Sequence, residues 1–518
     1  MEDIARGVRS FTLGTAVSRV LGLVREVVFA TLFGAGHSTD AFNAAFRIPN
    51  LLRDMFAETA LSAAFVPVLT GEKKKGKEAE NLLASNIFNT LFVVVGLITV
   101  LGIIFSRPLA KVIAFGFGNV AGKLSLTGSL TSITFPFLLF VALAAWAMSY
   151  LNTEGSFFVP SLAPAFFNVF SILVPLGLFG WYTARGGDPI YGAAIGVTVG
   201  GLMQFIVQAP SVFRKGFRYR FYLSFRDPEF RRVMALFIPV AIGLTGSRIN
   251  VAVNTVLVSF LEKGSMTWLN YAFRIMHLPL GLFGMAVGAV TLPKLSRLAA
   301  ENDLGAIHET FGDSLKMVLF LTVPTSVVIA FLSFPITAVI YQHGRFTATD
   351  TAAVAQALVL YIVGIPFMAA LRNVASVFYA YKDSKTPMYA SFASIGLNLV
   401  LNVSLMKVLG FLAFPLSTTI AAVVNIVLLI WLLPRKIGRI DLAPILRFFL
   451  ALAGASAAGG FTGWLLNRFL FGPMGHSFWV RLASVAVSGS AALGIFYALL
   501  VAFGVKEAKE YLKRFLRR

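Results

Sequence analysis

Fourteen apolar stretches of roughly 20 residues, each bounded by charge, glycine or proline, constrain this chain more than any other feature of its sequence. Their approximate limits are 10–34, 40–69, 84–106, 125–152, 158–182, 189–213, 233–260, 266–296, 312–334, 350–379, 385–407, 413–433, 443–466 and 479–504. The unbroken runs 88–105 and 420–433 lack the period-two alternation of a membrane β-barrel. Only 13% of the residues are charged, whereas soluble domains carry about 25%. The sequence therefore predicts an all-α polytopic membrane protein with fourteen transmembrane helices.

Basic residues are distributed unevenly between the two sides of these predicted spans. Loops on the side of the N-terminus hold 27 Lys and Arg residues, and loops on the opposite side hold 9. Short cytoplasmic loops are enriched in Lys and Arg, so this bias predicts that both termini are cytoplasmic. The net charge of +21 is then a topology signal and an attraction to anionic lipid, and it does not indicate nucleic-acid binding.

The residue types that catalysis needs are scarce. The chain has no Cys, which excludes disulfides, thiolate metal sites and a cysteine nucleophile. Its 5 His residues are scattered, and no GxxxxGK phosphate-binding loop occurs. We therefore expect a protein that is not an enzyme, with no catalytic residues and no resident cofactor.

An internal repeat divides the chain. The segment NAAFRIPNL at 43–51 recurs as NYAFRIMHL at 270–278, and several prolines and asparagines further along recur at a similar offset. Six spans per copy is an even number, so the two copies cross the membrane in the same direction, and such parallel repeats place the substrate site between them. We expect an N-terminal lobe at 1–222, a C-terminal lobe at 223–440, and a region at 441–518 with spans 13 and 14 and a basic cytoplasmic tail.

Seven arginines fall inside the predicted spans: Arg19, Arg25, Arg47, Arg53, Arg248, Arg274 and Arg372. Such residues normally face a bundle interior or a watery cavity, because a charge in lipid is costly. The acids expected as partners for these arginines within the spans are Glu26, Asp40, Asp54 and Glu58, and all four belong to the first lobe. One interpretation is that these charges only pair with each other. The excess of guanidinium groups favours a second, in which they bind an anion such as phosphate or carboxylate.

Several long motifs resemble one transporter family. They are TAVSRVLGLVRE at 15–26, DAFNAAFRIPNLLRDMFAE at 40–58, FVPVL at 65–69, LNYAFRIMHLPLGLFGMAVGAVTLPKLS at 269–296, HGRF at 343–346 and FYAYKDSKTP at 378–387. The chain resembles the MurJ (MviN) lipid II flippases of the MOP exporter superfamily along its whole length. The resemblance implies alternating access through a cationic central cavity. It also implies that the undecaprenyl-diphosphate-linked disaccharide pentapeptide moves from the inner to the outer leaflet of the bacterial inner membrane.

Two alternatives stay open at this point. One is a MOP-type flippase for another polyprenyl-diphosphate-linked oligosaccharide, and the other is a cation-coupled drug exporter. Drug exporters of this superfamily generally have twelve spans and place acids in the cavity, whereas this chain has fourteen predicted spans and an excess of arginine.

The resemblance also implies roles for individual residues. The residues expected to bind substrate are Ser18, Arg19, Arg25, Glu26, Asn50, Arg53 and Arg274. Cavity or gating roles are expected for Asp40, Arg47, Glu58, Arg248 and Arg372. A sodium site of the family corresponds to Asn254, Asn398, Asn402 and Thr418. Two of the acids expected in this site are Asn here, so the site should bind Na⁺ more weakly. Na⁺ or the membrane potential is the expected energy source for transport.

The same resemblance gives expectations about partners. Spans 13 and 14 are expected to form a groove for the lipid tail, and lipid II, membrane lipids and the cell-wall synthesis machinery are the expected partners.

Overall fold

The computed structural model describes residues 2–56, 59–471 and 477–505, and within these ranges every regular element is helical. The first helices are α1 (Glu2–Phe33), α2 (His37–Phe56), α3 (Thr59–Lys75), α4 (Lys77–Ile104), α5 (Ser106–Ile113), α6 (Lys123–Thr134), α7 (Pro136–Thr153), α8 (Phe158–Ala184), α9 (Ile190–Ile206), α10 (Ala209–Arg214) and α11 (Pro228–Val258). The later helices are α12 (Ser265–Pro279), α13 (Met285–Ala300), α14 (Leu304–Phe331), α15 (Ser333–Tyr341), α16 (Ala348–Ile362), α17 (Ile365–Ala380), α18 (Lys385–Leu409), α19 (Ala413–Leu432), α20 (Pro434–Ile437), α21 (Ala443–Leu466) and α22 (Phe478–Ala502).

Each predicted span coincides with one helix or with consecutive helices. Some spans are interrupted, and proline explains two of the interruptions. Pro136 is the first residue of α7 and Pro366 the second residue of α17, within the fourth and tenth spans, where a proline that has no N–H ends the preceding helix. The eighth span passes from α12 to α13 through a five-residue π-helix, Leu280–Gly284. Nine segments of the described ranges are long and apolar enough to cross a membrane. The predicted all-α polytopic membrane fold is confirmed.

The chain packs as two compact units. The first comprises Met1–Thr267 and His343–Phe346, and the second comprises Trp268–Gln342 and Thr347–Arg518. Helix α11 belongs to the first unit because its side chains Phe230, Val233 and Phe237 enter that unit's hydrophobic core. The boundary predicted at 222/223 separates two sequence repeats, whereas these units are defined by which helices pack together. The repeat boundary therefore stays a prediction.

Small residues allow close helix packing in the first unit. An added Cβ at Gly200 on α9 would lie 2.7 Å from the Phe167 carbonyl oxygen on α8. Small residues on such interfaces let the helix backbones approach each other where lipid supplies no hydrophobic drive. The core beside these helices is aromatic, and Trp146 on α7 donates its indole N–H to the Ala84 carbonyl of α4 at 3.0 Å.

The last two long helices belong to the second unit. An added Cβ at Gly459 on α21 would lie 2.3 Å from the Ala492 carbonyl oxygen on α22, and one at Gly460 would lie 2.5 Å from the Phe331 ring on α14. Gly459 and Gly460 of the apolar stretch 451–463 therefore serve close helix packing. The lipid-tail groove expected for these spans stays a prediction.

Candidate functional site

The first helix packs against α8 along the stripe that holds Gly14, Ser18 and Gly22. An added Cβ at Gly14 would lie 2.9 Å from the Ser161 backbone, and one at Gly22 would lie 3.6 Å from the Asn168 amide nitrogen. Asn168 Nδ2 donates to the Ser18 carbonyl at 3.0 Å. These positions repeat every four residues, so they share one helix face. The stripe that holds Ser18 is thus a helix interface.

Arg25 lies at the end of this stripe and pairs with its neighbour Glu26. The Arg25 Nη2 and Nε atoms both donate to Glu26 Oε1, at 2.6 and 3.2 Å. The Phe167 ring lies 5.2 Å from the guanidinium carbon. Glu26 is 7% exposed, and the Arg25 guanidinium beside it offsets the cost of burying the carboxylate. The pair is a mutually compensated charge site within the first span.

The other predicted arginines differ in exposure. Arg19 on α1 is exposed, Arg47 and Arg53 on α2 are half-buried, and Asn50 is half-buried between them. Arg274 on α12 and Arg372 on α17 are exposed in the second unit. The convergence of Arg274 on one cavity with Arg19, Arg25 and Arg53 stays a prediction, and so does the cavity or gating role of Arg372. Glu58 lies outside the described residues, as do the side chains of Asp54 and Arg248.

Asp40 forms a buried ionic node in the first unit. Its Oδ2 accepts from Lys123 Nζ at 3.2 Å and from the Gly264 N–H at 2.7 Å, and its Oδ1 accepts from the Thr267 N–H at 3.1 Å and hydroxyl at 2.8 Å. The Asp40 and Lys123 side chains are 2% and 3% exposed, and Lys123 Nζ lies 3.8 Å from the Phe117 ring centroid. Asp40 therefore ties α2 to the start of α6 and to residues 264–267. Lys123 is one of the 9 basic residues that the charge count assigns to loops opposite the N-terminus, and nothing in the sequence indicates its pairing with Asp40, 83 positions away.

The HGRF motif at 343–346 docks on the end of the first helix. The Arg345 N–H donates to the Thr31 carbonyl at 2.9 Å, and the Arg345 guanidinium lies 5.0 Å from the Phe179 ring centroid. Gly344 has φ +55, and an added Cβ there would lie 2.3 Å from the Thr31 oxygen. Glycine is required at this position for its backbone conformation and for its lack of a side chain. The sequence assigned no role to this motif. In the structure it packs against the end of α1.

The FYAYKDSKTP motif forms a capped turn before α18. Asp383 accepts from the Thr386 N–H at 3.0 Å and the Thr386 hydroxyl at 2.8 Å, and it pairs with Lys436 Nζ at 3.0 Å. The Thr386 backbone hydrogen bond, aided by the Lys436 ammonium against the cost of desolvation, lowers the pKa of Asp383 to about 2 from the ordinary 3.8. The motif thus anchors the loop between α17 and α18 to the short helix α20, which holds Lys436.

The residues of the expected sodium site belong to different packing units. On α18, Asn402 Nδ2 donates to Asn398 Oδ1 at 3.2 Å, and both side chains are buried. The Thr418 hydroxyl donates to the Phe414 carbonyl at 2.8 Å, while Asn254, in the first unit, donates to Asn250 at 3.0 Å. Amide and hydroxyl oxygens can bind Na⁺, but no carboxylate belongs to this set. Within the described ranges, no group of three or more His, Asp or Glu residues is placed to hold a metal ion.

Comparison with known proteins decides the family. The model of the family described as lipid II flippase MurJ matches residues 29–483. The chain belongs to the lipid II flippase MurJ family. The probable lipid II flippase MurJ of Vibrio cholerae is 34% identical over 507 residues, which is 95% of this chain and 94% of the relative. The resemblance drawn from the helix motifs is confirmed.

Solved structures agree with this family assignment. A lipid II flippase MurJ in an inward closed conformation matches with a TM-score of 0.75 and 29% identity, over 95% of this chain and 99% of that one. An inward-facing multidrug resistance MATE transporter of the MOP superfamily has a TM-score of 0.63 at 13% identity, over 81% of this chain and 94% of that one. The MATE likeness shows a shared fold only. The drug exporter and the flippase for another oligosaccharide are not favoured.

Proposed function

We propose that this chain translocates lipid II from the inner to the outer leaflet of the bacterial inner membrane for peptidoglycan biosynthesis. The observation that carries the proposal is the match of the MurJ family model across residues 29–483. In this proposal both termini are cytoplasmic, as the excess of basic residues on their side predicts. Translocation makes and breaks no covalent bond in the substrate, so the protein acts as a transporter and not as an enzyme.

The diphosphate of the substrate would be bound by guanidinium groups. In the first unit, Arg25 gives two donors to a single oxygen of Glu26. A diphosphate offers more oxygens and more negative charge, and charge-assisted bidentate contacts of this kind are strong. Glu26 would then hold Arg25 when substrate is absent and release it to phosphate when substrate enters. Arg19, Arg53 and Arg274 would supply further cations, with polar contacts from Ser18 and Asn50.

The remaining arginines would line the cationic cavity and its gates. We assign this role to Arg47, Arg248 and Arg372, with Glu58 as a nearby acid. Asp40, buried in its ionic node, would act on a gate by fixing α2 against residues 264–267. Two parallel repeats can expose such a cavity to each side in turn by rocking as bodies.

The lipid tail would stay in the bilayer while the headgroup crosses. Enclosing a long isoprenoid beside arginines forfeits hydrophobic stabilisation of about 25 cal/mol per Å² of apolar surface. The groove expected at spans 13 and 14 would guide the tail. We propose Na⁺ at Asn254, Asn398, Asn402 and Thr418, or the membrane potential, as the energy source, and contact with the cell-wall synthesis machinery as a source of substrate.

A reconstituted assay tests this proposal. The full chain is placed in vesicles with a fluorescent lipid II. The fraction of the fluorescence that a membrane-impermeant quencher removes is measured over time. Arg25→Ala and Arg274→Ala should slow translocation at least tenfold, since each removes one charge-assisted contact. Arg297→Ala is the matched control, because Arg297 is an exposed arginine at the end of α13. Equal rates for all three variants and the natural chain would contradict the assigned roles.

The substrate itself is tested in the same vesicles. Unlabelled lipid II should compete with the fluorescent molecule, and polyprenyl diphosphates that carry other oligosaccharides should compete poorly. Equal competition by all of these lipids would contradict specificity for lipid II and would show a broader class of substrates.

A further inference from the structure

A short extended segment, residues 217–224, lies along the first half of α4 and is named the strap. The Arg218 N–H donates to Asn81 Oδ1 at 3.2 Å, and the Arg220 N–H donates to Ser85 Oγ at 3.1 Å. Asn89 Nδ2 donates to the Tyr222 carbonyl at 2.9 Å. Side chains of α4 thus form the hydrogen bonds that the backbone N–H and C=O groups of the strap require, in place of a neighbouring strand.

The strap runs along α4 from near the N-terminal end of the helix towards its middle. From position 81 to position 89 the helix rises about 12 Å, and four residues of the strap cover the same distance only if they are extended. The predicted orientation places Lys77, the first residue of α4, at the cytoplasmic surface. Immediately after Asn89 the exposed residues of α4 become apolar, with Phe92 at 53% and Leu97 at 58% exposure. The strap therefore ends where the lipid-facing surface of α4 begins.

The side chains of the strap suit the membrane interface. Phe221 is 87% exposed and Tyr219 is 49% exposed. The Tyr219 ring packs edge-to-face against the Phe88 ring of α4, with the centroids 6.0 Å apart, and the Phe221 ring is almost fully exposed. Aromatic rings with this exposure are stable at the boundary between headgroups and acyl chains, where Tyr also keeps its hydroxyl hydrogen-bonded. The Tyr219 hydroxyl donates to Asn89 Oδ1 at 2.9 Å.

An apolar groove of about 330 Å³ opens beside the strap. Its walls are mainly aromatic and include Phe88, Trp146, Phe205, Phe213, Phe217 and Tyr219. No polar side chain other than the Tyr219 phenol and the Trp146 indole lines it, and the hydrogen bonds of both groups are made elsewhere. Water gains little in such a groove, whereas a hydrocarbon chain fills it favourably.

Basic residues alternate along the chain with residues that line this groove. Lys215 lies between the lining residues Phe213 and Phe217, and Arg218 lies between Phe217 and Tyr219. Both basic side chains are exposed. From 214 to 232 the sequence holds seven basic and two acidic residues, so the surface attracts anions.

We propose that the groove and the strap bind one anionic phospholipid of the cytoplasmic leaflet. One acyl chain fills the groove between α4, α7, α9 and α10, and Lys215 and Arg218 contact the phosphate of the headgroup. The site lies wholly within the first unit. It depends on membrane insertion and not on the transported substrate, so it stands apart from the function proposed above.

Photo-crosslinking tests this site directly. The full chain is reconstituted in phosphatidylcholine nanodiscs with a trace of phosphatidylglycerol that carries a diazirine in one acyl chain, and labelled peptides are identified by mass spectrometry. Labelling should concentrate on groove residues such as Phe205, Phe213 and Tyr219, and the matching phosphatidylcholine probe should label them at least tenfold less. Labelling spread evenly over the lipid-facing stretch 92–101, or equal labelling by the two probes, would overturn the proposal.

Variants separate the headgroup contacts from the groove. Lys215→Gln with Arg218→Gln should weaken the phosphatidylglycerol labelling about thirty-fold, because two basic contacts are lost. The matched control, Lys294→Gln with Arg297→Gln, removes the same charge from exposed residues near the end of α13 and should leave labelling within about twofold. Ala209→Trp should block the groove to both probes. Should the control reduce labelling as much as the test pair, general charge attraction explains the binding and the site is refuted. If Ala209→Trp does not fold, the labelling pattern of the natural chain still decides.

Discussion

Removing the Asp40 carboxylate should destabilise the protein more than any exposed ion pair does. Asp40 accepts four hydrogen bonds, and its partner Lys123 is 3% exposed, so Asp40→Ala leaves a buried ammonium without compensation. Breaking a buried pair in this way costs about 3–5 kcal/mol. Asp40→Asn keeps the size of the side chain and one acceptor oxygen, so it should cost less, about 2–3 kcal/mol. Lys123→Met should cost least, because Asp40 keeps three of its donors.

The free energy of unfolding is measured on the purified full chain in mixed micelles by denaturant titration, with tryptophan fluorescence as the signal. Glu78→Ala is the matched control, since Glu78 and Arg220 form a shorter but exposed pair at 2.6 Å. An exposed pair contributes only about 0–1 kcal/mol. The double variant Asp40→Asn with Lys123→Met should lose at least about 1 kcal/mol less than the sum of the single losses, because the two residues interact directly. Equal losses for Asp40→Ala and Glu78→Ala, or fully additive losses in the double variant, would refute this reasoning.

Three further predictions follow from the site. Glu26→Gln keeps the shape of the side chain and removes the charge that holds Arg25, so vesicle translocation of lipid II should fall at least tenfold, and a normal rate would reduce Glu26 to a structural counter-ion. Gly344→Ala should cost about 1–2 kcal/mol in backbone strain plus a clash with Thr31, whereas Gly410→Ala, with φ +56 and open space around it, should show the strain alone; equal losses on denaturant titration would contradict the docking of the HGRF motif. Asp383 stabilises the fold while ionised, because its folded pKa of about 2 lies below the ordinary 3.8. That stability is complete above pH 3.8 and is lost as the pH falls towards 2, so Asp383→Asn should flatten the acid limb of a stability–pH curve, and an unchanged limb would contradict the lowered pKa.

The membrane fold could be predicted from the sequence because the signal is local. Each span is set by the hydropathy of about 20 consecutive residues, and all fourteen predicted spans coincide with helices. The break at Pro136 follows from the missing N–H of that proline alone. The Arg25–Glu26 pair was equally accessible to sequence reasoning, since the two residues are adjacent in the chain.

Long-range contacts could not be predicted in the same way. Asp40 and Lys123 are 83 positions apart, and nothing in the local pattern distinguishes Lys123 from a loop lysine. Residues 343–346 pack with the first unit although the helices on both sides of them belong to the second. The strap on α4 depends on a row of Asn and Ser side chains whose partners lie more than 130 positions away. Such contacts depend on tertiary geometry, which neither hydropathy nor a repeat specifies.

The movement of lipid II in living cells tests the central claim most directly. In a strain whose only lipid II flippase is this chain, expression is stopped, and intact cells are treated with a membrane-impermeant enzyme that cleaves exposed lipid II at its diphosphate linkage. The account predicts that total lipid II rises while the cleavable fraction falls towards zero, and that the natural chain restores cleavage but Arg25→Ala does not. A cleavable fraction that stays unchanged after depletion would contradict the account.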